Sequence, residues 1–210
     1  RRLAEANMYL NGIYSTAAPS NYGYVLYNAN GGTVTVNGGW VGGNHGAIAT
    51  SGAAVVINDG ELVCTGTAGM TDNVLYSYET GSITVNGGTF HNNEGKVDGG
   101  AFYVSTNTTL KMTGGSFKGN YCAGRAGAIF FNNSKCEMSN VTFKNNSAGS
   151  SGGAICINGR KADITIKDTT FDTHEGASGG TICHQGYAIL LLENVQITNS
   201  FGVNNGGGVY

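Results

Sequence analysis

The 210-residue chain has a single proline, Pro19, and no long apolar run. Its most notable apolar stretch, Tyr187–Leu192, falls far short of the ~18 residues a membrane-spanning helix needs, so no membrane span is expected within the chain. Charge is sparse. Only 11% of residues are charged, 11 basic against 13 acidic, and the net charge of -2 removes the electrostatic basis for binding nucleic acid. The five cysteines (Cys64, Cys122, Cys136, Cys156 and Cys183) form no CxxC pair and share no ligand spacing with His45, His91, His174 and His184. No metal site and no cofactor are therefore expected, and the redox compartment stays open. No phosphate loop occurs, and Arg1-Arg2-Leu3 does not open a signal-peptide apolar segment. Either a signal has been removed or the chain is a piece of something larger.

What is present is repetition. The large apolar residue after each Gly-Ala-like pair is Ile48, Leu75, Phe102, Ile129, Ile155, Ile182 and Val209, at intervals of 27, 27, 27, 26, 27 and 27 residues. Leu26 extends the series backwards by a shorter step of 22. A second series runs half a period later through Val41, Leu62, Phe90, Phe117, Phe143, Phe171 and Ile197. A period of this size marks an array in which each unit buries its apolar face against its neighbours. Glycine, at 36 residues, punctuates this pattern and does not replace it, because 40% of the chain is hydrophobic at fixed spacing.

Within one repeat, Gly152-Gly153-Ala154-Ile155-Cys156-Ile157 opens a short strand and Asn158-Gly159-Arg160-Lys161 turns. Ile164-Thr165-Ile166 then alternates, and a corner at Lys167-Asp168-Thr169 leads to Phe171. Brief alternation between Gly and Asn turns indicates β structure. Three short strands per repeat cannot pair internally by tight hairpins, but each can pair with its equivalent in the next repeat. The expected fold is therefore all-β: a right-handed parallel β-helix of about seven coils, roughly 34 Å long at ~4.8 Å per coil. Residues 23–210 belong to it, and residues 1–22 form a cap or a degenerate first coil. A leucine-rich repeat is excluded because the chain has only nine leucines, and a calcium-binding nonapeptide roll because six scattered aspartates supply no Gly-Gly-x-Gly-x-Asp run. Three residues after the half-period residue stands Asn44, Asn93, Asn120 or Asn146, replaced by Thr65, His174 and Ser200 elsewhere. Stacked amides can bond coil to coil, so these asparagines and the column Phe90, Phe117, Phe143 and Phe171 are the expected structural ladders. Gly pairs at 99–100, 152–153, 179–180 and 206–207 suit a turn of positive φ, with Asp72-Asn73 substituting once.

Two tetrapeptides recur in fixed order. Phe143-Lys144-Asn145-Asn146 precedes Gly152-Gly153-Ala154-Ile155, Phe90-His91-Asn92-Asn93 precedes Gly99-Gly100-Ala101-Phe102, and Phe117-Lys118-Gly119-Asn120 precedes Gly127-Ala128-Ile129. This pattern, over residues of about 41–210, resembles the FxxN and GGA(I/L/V) repeats of the chlamydial polymorphic membrane proteins. The resemblance implies a β-helix passenger with an adhesive role at the cell surface. The chain departs from it at Phe171-Asp172-Thr173-His174, Ile197-Thr198-Asn199-Ser200 and Gly179-Gly180-Thr181, and it contains no membrane-barrel segment.

For function, the expectation is a non-enzymatic, extracellular or cell-surface module that displays loops and a sheet face to a protein or glycan ligand. The alternatives are a subunit of a surface fibre that associates end to end, and a polysaccharide lyase or glycoside hydrolase. The candidate binding column follows the first apolar series: Tyr27, Tyr76, Tyr103, Phe130 and Tyr210, with Cys156 and Cys183 between. If the Ile48–Val209 series points inward, alternation turns this column outward, where aromatics can stack on sugars or a partner. Catalytic candidates are thin. Glu94 and Glu175 share a register three coils apart, and His91, Lys118, Lys144 and Asp172 read as a solvated column. Asp168 and Asp172 flank one corner, at best a carboxylate pair for glycoside hydrolysis. The final Gly206-Gly207-Gly208-Val209-Tyr210 opens a coil that is not completed, so the polypeptide is expected to continue or to pack on another subunit.

Overall fold

The computed structural model describes residues 7–15, 24–29, 31–43, 46–64 and 73–210. All the regular structure described is β, and every strand pairing is parallel between equivalent positions of successive repeats. The result is a β-solenoid of about seven turns. A representative coil runs Ile129–Asn132, Lys135–Ser139 and Thr142–Lys144, followed by the two-residue strand Ser147–Ala148. These four positions generate, in order, sheet I of seven strands, sheets II and III of eight each, and a minor sheet IV of five. Sheet IV begins at Glu94–Gly95, so the short fourth strand belongs to the later coils among the described residues.

Sheets form this way because like residues meet like residues. Phe117 pairs with Phe90 on one side and Phe143 on the other. Ile155 pairs with Ile129 and Ile182, and Val85 pairs with Ile57 and Met112. The apolar positions of all three main sheets converge on one core, in which Ile48, Leu75, Phe102, Ile129, Ile155 and Ile182 are fully buried. The first apolar series thus points inward. Strand Thr108–Met112 shows the alternation directly, with Leu110 and Met112 buried and Thr109 and Lys111 exposed. Each inward Leu, Ile or Phe contributes about 1.5–3 kcal/mol by leaving water. The phenylalanine column adds ring stacking, with centroids 4.6 Å apart for Phe90–Phe117, 4.9 Å for Phe117–Phe143 and 4.6 Å for Phe143–Phe171. Phe102 closes the column from sheet I, edge-on to Phe90 at 4.7 Å and Phe117 at 5.1 Å.

The asparagine ladder occupies the corner between sheets III and IV. Asn120, fully buried, donates from Nδ2 to Asn146 Oδ1 at 2.9 Å and to the Phe90 carbonyl at 2.9 Å. Its Oδ1 accepts from Asn93 Nδ2 at 2.9 Å and from the Asn93 backbone N–H at 3.1 Å. Four good bonds satisfy the whole amide, and a carboxylate or an aliphatic chain cannot make the same set. Asn93 repeats the arrangement backwards onto Cys64 N–H, 2.6 Å from its Oδ1. Asn44 lies outside the described residues. The ladder ends at His174, whose Nδ1 accepts the Asn146 N–H at 3.1 Å. Its Nε2 is buried without a hydrogen-bond partner, and burial holds the imidazole down to about 4.

Just before each ladder position the backbone turns left-handed: φ is 51° at Asn92, 62° at Gly119, 54° at Asn145, 60° at Thr173 and 51° at Asn199. Much of the chain's asparagine therefore serves conformation as well as hydrogen bonding, since Asn enters this region at least cost after Gly. The Gly-pair turn does the same, with φ of 73° at Gly99, 69° at Gly152 and 64° at Gly179. In the coil that keeps only one glycine, Ala126 takes the strained position at 61°. Of the substitute pair Asp72-Asn73, Asp72 lies outside the described residues. Asn73 is buried and donates to the carbonyls of Asp98, at 2.9 Å, and Gly99.

At the N-terminus, Asn7–Leu10 pairs with Thr33–Val36 and Ile13–Ser15 with Trp40–Gly43. This part of the segment set aside by sequence period therefore runs in coil register.

Candidate functional site

Sheet I has an outward side as well, and the aromatic column lies on it. The face departs from the sequence expectation in what covers it. Phe130 is only 1% exposed, and Cys156 and Cys183 are fully buried. With Ala126 they form a second apolar cluster, separate from the main core, against which Tyr103 packs. The physical reason is the preceding turn, which folds back over the outward side of its own strand. A Cβ on Gly152 would lie 3.1 Å from Cys156 Cβ, and one on Gly179 3.0 Å from Cys183 Cα. Arg125 adds to the cover, its guanidinium 4.5 Å from the Phe130 ring centroid and held by Asp98 through paired bonds of 2.7 and 2.9 Å. Phe130 is thus a buried residue and leaves the candidate binding set. The small residues Ala101, Ala128 and Ala154 are buried on the main-core side. Both sides of sheet I are packed here, which a strict inside–outside alternation does not allow for.

Tyr210 is exposed but separate from the other tyrosines. Its backbone pairs with the last strand of sheet I, and the covered cysteines intervene. What remains is a contiguous tyrosine face toward the other end of the sheet. Tyr27 is 61% exposed and Tyr78 39%, while Tyr76 and Tyr103 are half-buried. Tyr76 and Tyr103 stack with centroids 4.5 Å apart and planes only 8° from parallel. Tyr78 lies 4.5 Å from Tyr76 and 6.1 Å from Tyr27, and Tyr24 lies 6.2 Å from Tyr76. Ala49 is buried in the column between Tyr27 and Tyr76. Tyr24 and Tyr78 join the face from outside the one-per-repeat column. The signal for Tyr78 was available, because it stands two residues after Tyr76 and alternation puts both on one side.

Ring orientation limits what this face can do. Tyr76 and Tyr103 turn their faces on each other, so along the solenoid the column offers ring edges where a sugar-stacking platform needs open faces. Burial beside Tyr103 and Tyr78 pushes the Tyr76 hydroxyl well above its ordinary value, so it is a neutral phenol at physiological pH. The Tyr103 hydroxyl accepts from Asn132 Nδ2 at 3.1 Å.

The catalytic candidates fall into neighbour-coil pairs. His91, Lys118, Lys144 and Asp172 are consecutive register partners on the outer side of sheet III. Of these, His91 meets Glu61 of the preceding coil at 2.7 Å and Lys144 meets Asp172 at 3.5 Å. Asp172 accepts from Asn199 Nδ2 at 2.8 Å and Thr198 Oγ1 at 2.9 Å, which hold its carboxyl below the usual range. Asp168 accepts from Asn194 Nδ2 at 2.6 Å. Each carboxylate is thus bonded to the next coil. Glu94 and Glu175 are separated by Tyr121 and Ser147 along sheet IV. Among the described residues no three His, Cys, Asp or Glu side chains converge as a metal site would require. Among the described residues no helix is long and apolar enough to cross a membrane.

Fold and surface together define the class: a parallel β-solenoid with a tyrosine face on one sheet. No protein-family model matches the chain, and no curated protein or solved structure is significantly similar to it.

Proposed function

We propose that this chain is a non-enzymatic, adhesin-like repeat module displayed at a cell surface, binding a protein partner through the tyrosine face of sheet I. The observation that carries this reading is the cluster of Tyr24, Tyr27, Tyr76, Tyr78 and Tyr103, whose rings form one contiguous set on sheet I. Tyrosine suits such a role because it offers a large contact area at little entropic cost and carries a polar tip. The FxxN and GGA repeats support surface display. The self-stacked rings favour a protein over a sugar, since protein interfaces accept ring edges and hydroxyls as readily as faces.

Antibodies to the chain should label intact, unpermeabilised source cells, and protease shaving should remove the label. Labelling only after permeabilisation overturns the surface assignment. Binding to the partner cell surface should fall at least tenfold in the double variant Tyr27→Ser/Tyr78→Ser, with unchanged thermal stability. A polysaccharide panel should yield neither new reducing ends nor unsaturated products. Turnover abolished by Asp168→Asn or Asp172→Asn would replace this reading with a glycan-degrading one.

A further inference from the structure

The second cluster on sheet I contains two thiols at equivalent positions of consecutive coils. Cys156 and Cys183 are register partners on adjacent parallel strands, and both are free. Adjacent strands run about 4.8 Å apart, inside the ~4.4–6.8 Å Cα separation that a disulfide bridges. Equal register puts both sulfurs on the same side of the sheet, packed together against Phe130 and Ala126. Cys122, by contrast, has Gly95 and Ala148 as register partners, and Cys136 has Leu110 and Ile164.

We propose that Cys156 and Cys183 are a redox pair that closes into a disulfide between consecutive coils, by exchange with a low-molecular-weight disulfide such as oxidised glutathione. The Cys183 thiolate attacks one sulfur of the small disulfide. That S–S bond breaks, one small thiolate leaves, and a mixed disulfide forms on Cys183. Cys156 then loses its proton to the departed thiolate, and its sulfur attacks Cys183 Sγ. The second small thiolate is displaced and takes up the proton that Cys183 gave to solvent. Two protein thiols are oxidised to one disulfide and one small disulfide is reduced to two thiols.

The surroundings assign the order of attack. Contact with the Cys156 thiol lowers the Cys183 thiol from its ordinary range, and Ser151, Gln185 and the Arg125 charge also favour its thiolate. The same contact, with burial, pushes the Cys156 thiol up. Thiolate character at near-neutral pH is what exchange requires of the attacking sulfur. Both side chains lie beneath the turns at Gly152 and Gly179, so exchange proceeds through opening of these turns and is slow. Once made, the bond ties two coils together in the unfolded chain and raises stability.

The test uses the full chain, reduced and native, incubated with oxidised glutathione below its melting temperature. Remaining thiols are then alkylated and the peptides mapped by mass spectrometry. The expected product joins the Cys156 and Cys183 peptides, leaves Cys64, Cys122 and Cys136 alkylated, and melts at a higher temperature than the reduced protein, reversibly with dithiothreitol. In Cys156→Ser, a lasting glutathione adduct should remain on Cys183. Wild-type protein in which both cysteines stay alkylatable, or in which either joins a different cysteine, or in which Cys183 keeps its adduct, overturns the proposal. The wild-type map decides the matter even if the variant does not fold.

Discussion

A buried asparagine amide is stable only when all its hydrogen-bonding capacity is used, and Asn120 uses it within a ladder. Asn120→Ala leaves the Phe90 carbonyl and the Asn93 N–H and amide without that partner. Each orphaned buried group costs about 1–3 kcal/mol, so the variant should lose roughly 3 kcal/mol, read as a lowered urea midpoint. Lys118→Ala, two positions earlier on the wet side, should stay within about 0.5 kcal/mol. Equal losses would mean that the ladder amides are not what holds this corner.

At the scale of the strand, burial is set by parity. Phe117 sits between Phe90 and Phe143 with no exposure, whereas Lys118 points to solvent. Phe117→Asp should abolish cooperative folding at ambient temperature or lower the melting temperature severely, because it places an unpaired charge in the core. Lys118→Asp should shift the melting temperature only slightly, and comparable shifts would overturn the inward assignment of this series. Turns follow a different rule. Gly152 has φ of 69°, and a Cβ there would overlap the Ile155 carbonyl. Gly152→Ala should therefore destabilise by at least about 1–2 kcal/mol in thermal or chemical melts. In the neighbouring coil Ala126 already stands at φ of 61°, so that turn accommodates a methyl group which this one does not.

For the whole molecule, the end of the asparagine ladder sets an acid limit. His174 ordinarily titrates near 6.5 but is held at about 4 when folded, because burial disfavours its charged form. Between these values the unfolded chain binds the proton and the folded chain does not. The contribution is complete above pH 6.5 and is lost as pH falls toward 4, amounting to roughly 3 kcal/mol. His174→Asn should extend the ladder by one rung and flatten the stability profile over this window relative to wild type, measured by chemical denaturation at a series of pH values. An unchanged profile would remove His174 as the source. In a solenoid whose stability is close to a sum of coil–coil contacts, such a local change propagates only to adjacent coils.

Periodicity determined the architecture, because residues of one kind at a fixed interval stack in register only as parallel ladders, and the pairs Phe90/Phe117, Ile155/Ile182 and Val85/Met112 follow directly. It also determined the Asn93–Asn120–Asn146 contacts, since a side chain repeated in an inward corner has its own copy as neighbour. What covers the outward side of sheet I was decided by tertiary structure alone. Backbone turns at Gly152 and Gly179 fold over Cys156 and Cys183, and Arg125 closes over Phe130, so an alternation that reads as exposed is buried. The tyrosine face was half legible: spacing put Tyr27, Tyr76 and Tyr103 in one column. Only the packed rings show that Tyr24 joins it and that Tyr76 and Tyr103 spend their faces on each other. Spacing along a chain specifies which residues are neighbours, whereas the path of the turns decides which of those neighbours reach solvent.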